Sequence, residues 1–195
     1  DSGFLVIPQN GHDLVSLDGE PGGECAPDYI DAIDGAGQED LFYGYDDFGS
    51  ETPKDVRDWM LGFLSMAQAG GAVVLVIDYC NEPAKVDISL GLNASYGFLS
   101  FAADSRELDT IPSYPSPVQN HSTVDIDSLT QAGNFLYLIN PSLFPSKEDF
   151  LLAAGNSDHD LLIIDAFYEG TLLSQAEVSS LKIKSSGGAR LVVSY

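Results

Sequence analysis

Glu39 and Asp40 stand next to each other, with Gly35 and Gly37 just before them and Phe42, Tyr43 and Tyr45 just after. Glycines let the backbone swing such a pair toward a pocket, and the aromatic rings could wall it. Carboxylates beside aromatic faces suit glycoside cleavage. One carboxyl group protonates the leaving oxygen, and a second acts as nucleophile or activates water. Other apolar runs also end in polar groups: Gln9 and Asn10, Asp78 and Tyr79, Asp104, Asn140, Asp165 and Tyr195. Gathered at one mouth, they would form a rim rich in carboxylate, amide and phenol, with Tyr79 and Phe167 as further stacking faces. Each also has a plainer reading. An aspartate ending a strand often caps the next helix, and the aromatics fit core or edge packing.

Other chemistries lack their signatures. No GxSxG serves a serine hydrolase, and no phosphate loop or GxGxxG follows a strand. His12, His121 and His159 are scattered, and Cys25 and Cys80 form no CxxC, so neither a metal nor a cofactor is implied. Whether the two cysteines pair is left open by their spacing. Asn93-Ala-Ser and Asn120-His-Ser fit the glycosylation sequon.

The chain has 8 basic and 30 acidic residues, a net charge of −22. Such a surface repels phosphates, which argues against a nucleic-acid partner. It would attract a cationic ligand, and it equally fits a solubility or high-salt adaptation. No apolar run approaches the length of a membrane span.

The elements that must position these residues read as alternating strands and helices. Apolar runs at 4–10, 30–40, 72–79, 96–104, 134–140, 160–167 and 190–195 lack alternation, as strands buried on both faces do. Pro53 to Ala69 reads as a helix with Val56, Met60, Phe63, Leu64 and Ala67 on one face. Ser146 with Asp149 and Ser174 with Glu177 read as helix starts, and Gly187-Gly188 as a stop. Strand-then-helix repetition predicts a parallel sheet. A (β/α)8 TIM-type barrel, incomplete or circularly permuted with about seven strands, is the expected fold; eight units would need about 250 residues. Residues 109–133 hold Pro112, Pro115 and Pro117 among Ser, Asn and Thr and read as a linker. It divides the chain into residues 1–108 and 134–195, either joining two domains or wrapping around one.

"FLVIPQNG", "DAIDGAGQEDLFYGYD", "VLVIDYC" and "YGFLSFAADSRELD" resemble the last four strands of glycoside hydrolase family 114. These are endo-α-1,4-polygalactosaminidases and related extracellular polysaccharide hydrolases built on a (β/α)8 barrel. "NFLYLINPSLF", "HDLLIIDAFYEG" and "GGARLVVSY" resemble the family's first three strands. The order is inverted, as in a permuted barrel or in the tail of one barrel followed by the head of another. The resemblance implies an extracellular or secreted glycosidase acting on an amino-sugar-containing, possibly cationic, polysaccharide, with Glu39 as general acid/base. It implies substrate contacts from Asn10, Asp40, Tyr43, Asp78, Tyr79, Asp104, Asp165 and Tyr195. The family's fourth strand carries the partner aspartate, and no segment here fills that role. This chain alone is therefore expected to be inactive, with a non-catalytic polysaccharide-binding barrel as the alternative.

Overall fold

The computed structural model describes residues 4–195. The chain forms two compact units, residues 1–102 and 103–195, each with its own parallel sheet.

In the first unit, β1 (Gly35–Glu39) pairs in parallel with β2 (Val73–Tyr79), Gly35 opposite Val73 and Glu39 opposite Ile77. β3 (Leu99–Ala103) lies on the other side of β2. Residues 5–10 run alongside β1. Gly37 N donates to Pro8 O and Asn10 N to Gly37 O, both at 2.8 Å, and Gln9 bridges Gly37 in parallel. The Gln9 side chain lies over Gly37, where a Cβ would fall 2.0 Å from Gln9 Oε1, so a larger residue there would displace that amide.

Two helices connect these strands. α2 (Lys54–Ala69), preceded by the short α1 (Pro27–Ile30), buries Met60, Leu61, Phe63, Leu64 and Ala67, close to the stripe expected from its spacing. Fully burying a Phe63 or Leu64 side chain contributes about 1.5–3 kcal/mol. Leu64 belongs to a core cluster with Val74, Val76 and Phe98, and Phe63 to a second one with Val15, Ile30 and Ala72. α3 (Pro83–Tyr96) starts with proline at its first position and ends at Gly97, whose φ of 74° closes the helix in the left-handed region.

In the second unit, β5 (Leu161–Ile164) is flanked in parallel by β4 (Phe135–Leu138) and β8 (Leu191–Ser194). All four residues of β4 and of β5 are buried, which explains their unbroken apolar runs. α4 (Lys147–Gly155) is capped by Ser146, whose hydroxyl accepts from Asp149 N. A hairpin, β6 (Phe167–Tyr168) and β7 (Thr171–Leu172), precedes α5 (Gln175–Leu181). Ser174 and Glu177 form the capping box their spacing predicts. Arg190 is buried and donates to the carbonyls of Ala154, Gly155, Ser157 and Leu181, at and just beyond the carboxyl ends of α4 and α5.

The expected TIM barrel does not form: no barrel closes among the described residues. The parallel strands pair within two separate three-stranded sheets, and β6 and β7 pair antiparallel. A closed barrel needs one continuous ladder of eight parallel strands, and these short strands do not provide it. The proline-rich stretch is fastened within the second unit. Its chain is bonded to the second unit through Ile126 N to Ala189 O, Ala189 N to Asp125 Oδ1, and Lys184 Nζ to Val124 O. No helix among the described residues is long and apolar enough to cross a membrane.

Candidate functional site

At the carboxyl end of β1 and of residues 5–10, a cleft of about 520 Å³ opens beside the first turns of α2. Asn10, His12, Glu39 and Asp40 line it from the strand side, Tyr45 from the following loop, and Asp55 and Trp59 from the helix. Tyr45 and Trp59 are partly exposed, so their rings are available to a ligand.

Glu39 is held from two sides. Asn10 Oδ1 accepts from Glu39 N at 3.0 Å, and Asn10 Nδ2 donates to Glu39 Oε2 at 2.5 Å. The Tyr79 hydroxyl donates to the other carboxylate oxygen, Oε1. One amide thus grips both the backbone and the side chain of residue 39, while a buried phenol fixes the far oxygen. The backbone on either side is unusual. Asn10 has φ 57° and Asp40 φ 60°, left-handed conformations at non-glycine residues, of the kind that cluster at functional sites. Gly44 makes room for Asp40, because a Cβ there would lie 2.3 Å from Asp40 Oδ1.

His12 sits edge-on to Trp59, with ring centres 4.8 Å apart. Burial pushes its pKa below the usual histidine value, against the opposing effects of Gln38 and Asp13. Beside the cleft, Gln9 Nε2 is buried without a hydrogen-bond partner among the described residues, and such orphaned polar atoms are uncommon in folded proteins.

The structure sorts the expected site residues into groups. Asn10, Glu39 and Asp40 line one cleft, and Tyr79 reaches it through Glu39. Asp78 and Tyr43 lie in the core beneath. Asp78 is wholly buried, its Oδ1 accepting from Phe42 N and Tyr43 N, its Oδ2 from Ser89 Oγ and Asn93 Nδ2. Burial raises its pKa, and those four donors counteract the rise. Burial likewise pushes the Tyr43 phenol up, with the Glu51 carboxylate adding to it. Asp78 therefore ties the turn after β1 to α3. Asn93, the first sequon asparagine, is committed to that network and fully buried. Asp104, Asp165 and Tyr195 belong to the other unit. Asp104 accepts from the Thr110 hydroxyl, and Tyr195 is exposed, its ring edge-on to Tyr137. Cys25 and Cys80 are both free thiols. Cys80 is buried, and burial pushes its thiol up to about 12.

Sequence reasoning missed His12, Asp55 and Trp59. His12 lies two residues beyond Asn10 and opens a short 3-10 turn, His12–Val15, so its nearness to Asn10 in the sequence was the available signal. Trp59 and Asp55 lie on a helix whose register with the strands only the fold supplies. Among the described residues, no group of three or more His, Cys, Asp or Glu side chains is arranged to hold a metal ion. No protein-family model, curated protein or solved structure matches the chain.

Proposed function

We propose that the cleft binds a polysaccharide containing amino sugars and that Glu39 is the general acid/base of glycoside cleavage in an extracellular hydrolase. One observation carries this reading. A carboxylate fixed by Asn10 and Tyr79 faces a cleft whose other walls present the partly exposed rings of Tyr45 and Trp59. Such rings suit the apolar face of a pyranose. Asp40 and Asp55 line the same cleft and offer counter-charge to a sugar amine. No segment of this chain matches the stretch that carries the partner aspartate in the family it resembles.

A second reading is binding without cleavage. It is favoured by both Glu39 oxygens already accepting hydrogen bonds from the protein. The test measures reducing ends released from partially deacetylated polygalactosamine by the complete protein and its Glu39→Gln variant. Under the first reading the variant loses about 10²–10⁴-fold. Equal release by both removes Glu39 from the mechanism. Binding by both without release from either establishes the second reading.

A further inference from the structure

Among the residues lining the cleft of the first unit, His12 carries the only imidazole, and packing fixes its ring. It lies nearly perpendicular to Trp59, with centres 4.8 Å apart, and is tilted 40° against the fully buried Phe63 at 5.3 Å. Nδ1 sits on the buried edge of the imidazole, out of reach of solvent. Nε2, on the other side of the ring, is therefore the nitrogen that His12 offers to a ligand in the cleft. We infer that Gln38 holds His12 as the neutral Nδ1–H tautomer, so that Nε2 faces the cleft as an unprotonated acceptor for a hydroxyl of the ligand. Only the class of that ligand rests on the carbohydrate reading above; the state of the ring does not.

Gln38 places the proton. Its side chain is buried, and its Nε2 donates to Glu39 O at 2.7 Å. That bond fixes which way the amide points and leaves Oε1, also buried, as the acceptor toward the ring. The bond between Gln38 and His12 favours a proton on the imidazole, as it does when an amide oxygen accepts from a ring N–H. A neutral imidazole has one N–H, so a proton held at the buried Nδ1 leaves Nε2 with its lone pair. Burial keeps the ring neutral, outweighing Gln38 and the Asp13 carboxylate, which both favour the charged form. An unconstrained histidine prefers the other tautomer, so the arrangement is one that the surroundings impose.

Glu39 already has both carboxylate oxygens engaged, by Asn10 and Tyr79. Nε2 of His12 adds to the same cleft an acceptor that is not used up in this way. A ligand hydroxyl can donate to it. An ether oxygen in that place cannot, and would leave the lone pair desolvated and unpaired.

The test records long-range ¹H–¹⁵N correlations of the ring nitrogens in the ¹⁵N-labelled full chain at neutral pH, with affinity for partially deacetylated polygalactosamine measured in parallel. The His12 signals, identified by their loss in His12→Phe, should show a protonated Nδ1 and the downfield shift of an unprotonated Nε2. Gln38→Met removes the amide oxygen with little change in volume and should move that pattern toward the Nε2–H form. His12→Phe keeps an aromatic ring against Trp59 and Phe63 but has no acceptor, and should weaken polymer binding by about two- to tenfold. His12→Gln, whose amide oxygen can stand in for Nε2, should restore most of it. A proton on Nε2 in the wild type, or a tautomer unmoved by Gln38→Met, overturns the inference whatever the polymer does. Equal affinity in His12→Phe and the wild type overturns it as well. If the wild type does not bind the polymer, the carbohydrate reading fails, and the nitrogen shifts alone decide the state of His12.

Discussion

Replacing Asp78 by alanine would leave four donors, Phe42 N, Tyr43 N, Ser89 Oγ and Asn93 Nδ2, facing a space that water does not reach. Each orphaned buried donor costs its desolvation, so Asp78→Ala should destabilise the protein by about 3–5 kcal/mol, read from urea unfolding. Ser89→Ala removes one donor and leaves the carboxylate three, and should cost only about 1 kcal/mol. A difference no larger than experimental error would show that Asp78 is not the clamp described. This residue also marks where sequence reading stops. An aspartate ending a strand is visible in the sequence, but whether it faces a cleft or the core depends on Ser89 and Asn93, which a helix elsewhere in the chain delivers. Glu39 and Asn10 were recognisable from their types and positions; their mutual grip, which needs residues 5–10 in register with β1, was not.

Among elements, the stretch at 109–133 is held by its contacts with the end of the chain, and two adjacent glycines there separate packing from backbone strain. Gly187 and Gly188 both have positive φ, 94° and 86°. A Cβ at Gly187 would meet nothing within 4 Å, whereas one at Gly188 would lie 2.4 Å from Thr123 O and 2.9 Å from Val124 O. Gly187→Ala should therefore cost only the strain of a left-handed alanine, about 1–2 kcal/mol. Gly188→Ala must also push residues 123–124 away, adding about 1–3 kcal/mol and speeding proteolysis of that stretch. Equal unfolding midpoints for the two variants would refute the packing account. Composition marks this stretch as a linker, because proline and small polar residues read alike whether a segment is free or fastened. The fastening comes from Lys184, Asp125 and Ala189, single contacts with no local pattern. Periodic elements fared better: unbroken apolar runs mark most of the strands, and the stripe of α2 and the capping box of α5 were readable. α3 carries its own signals, proline at the start and Gly97 at the end, yet its apolar pattern is too weak to announce a helix.

For the molecule as a whole, repeated strand–helix units suggest a parallel sheet but do not specify how many strands one ladder holds; each of the two sheets pairs strands that follow one another in the chain, β5 and β8 skipping only the β6–β7 hairpin. Global stability has a pH dependence that can be traced to one side chain. His159 is buried next to β5, and burial, reinforced by the nearby Arg190 charge, lowers its pKa to about 4 against the attraction of Asp160 and Asp158. The folded protein thus keeps His159 neutral over a range where the unfolded chain, titrating near the ordinary value of 6.5, takes up a proton. The unfolded state binds more protons there, so stability falls as pH drops from about 6.5 to about 4. The full loss from this group is on the order of 3 kcal/mol. Below that range Glu177 adds to the loss. Its carboxyl, held at about 2 by the Lys147 ammonium and by the Ser174 backbone and hydroxyl, contributes stability that disappears as it is protonated. Urea unfolding of the wild type and of His159→Gln between pH 7 and pH 4 checks this. The wild-type curve should slope down through that interval and the variant's should be flatter by the His159 share; parallel curves would show that His159 is protonated as readily in the folded protein as in the unfolded chain.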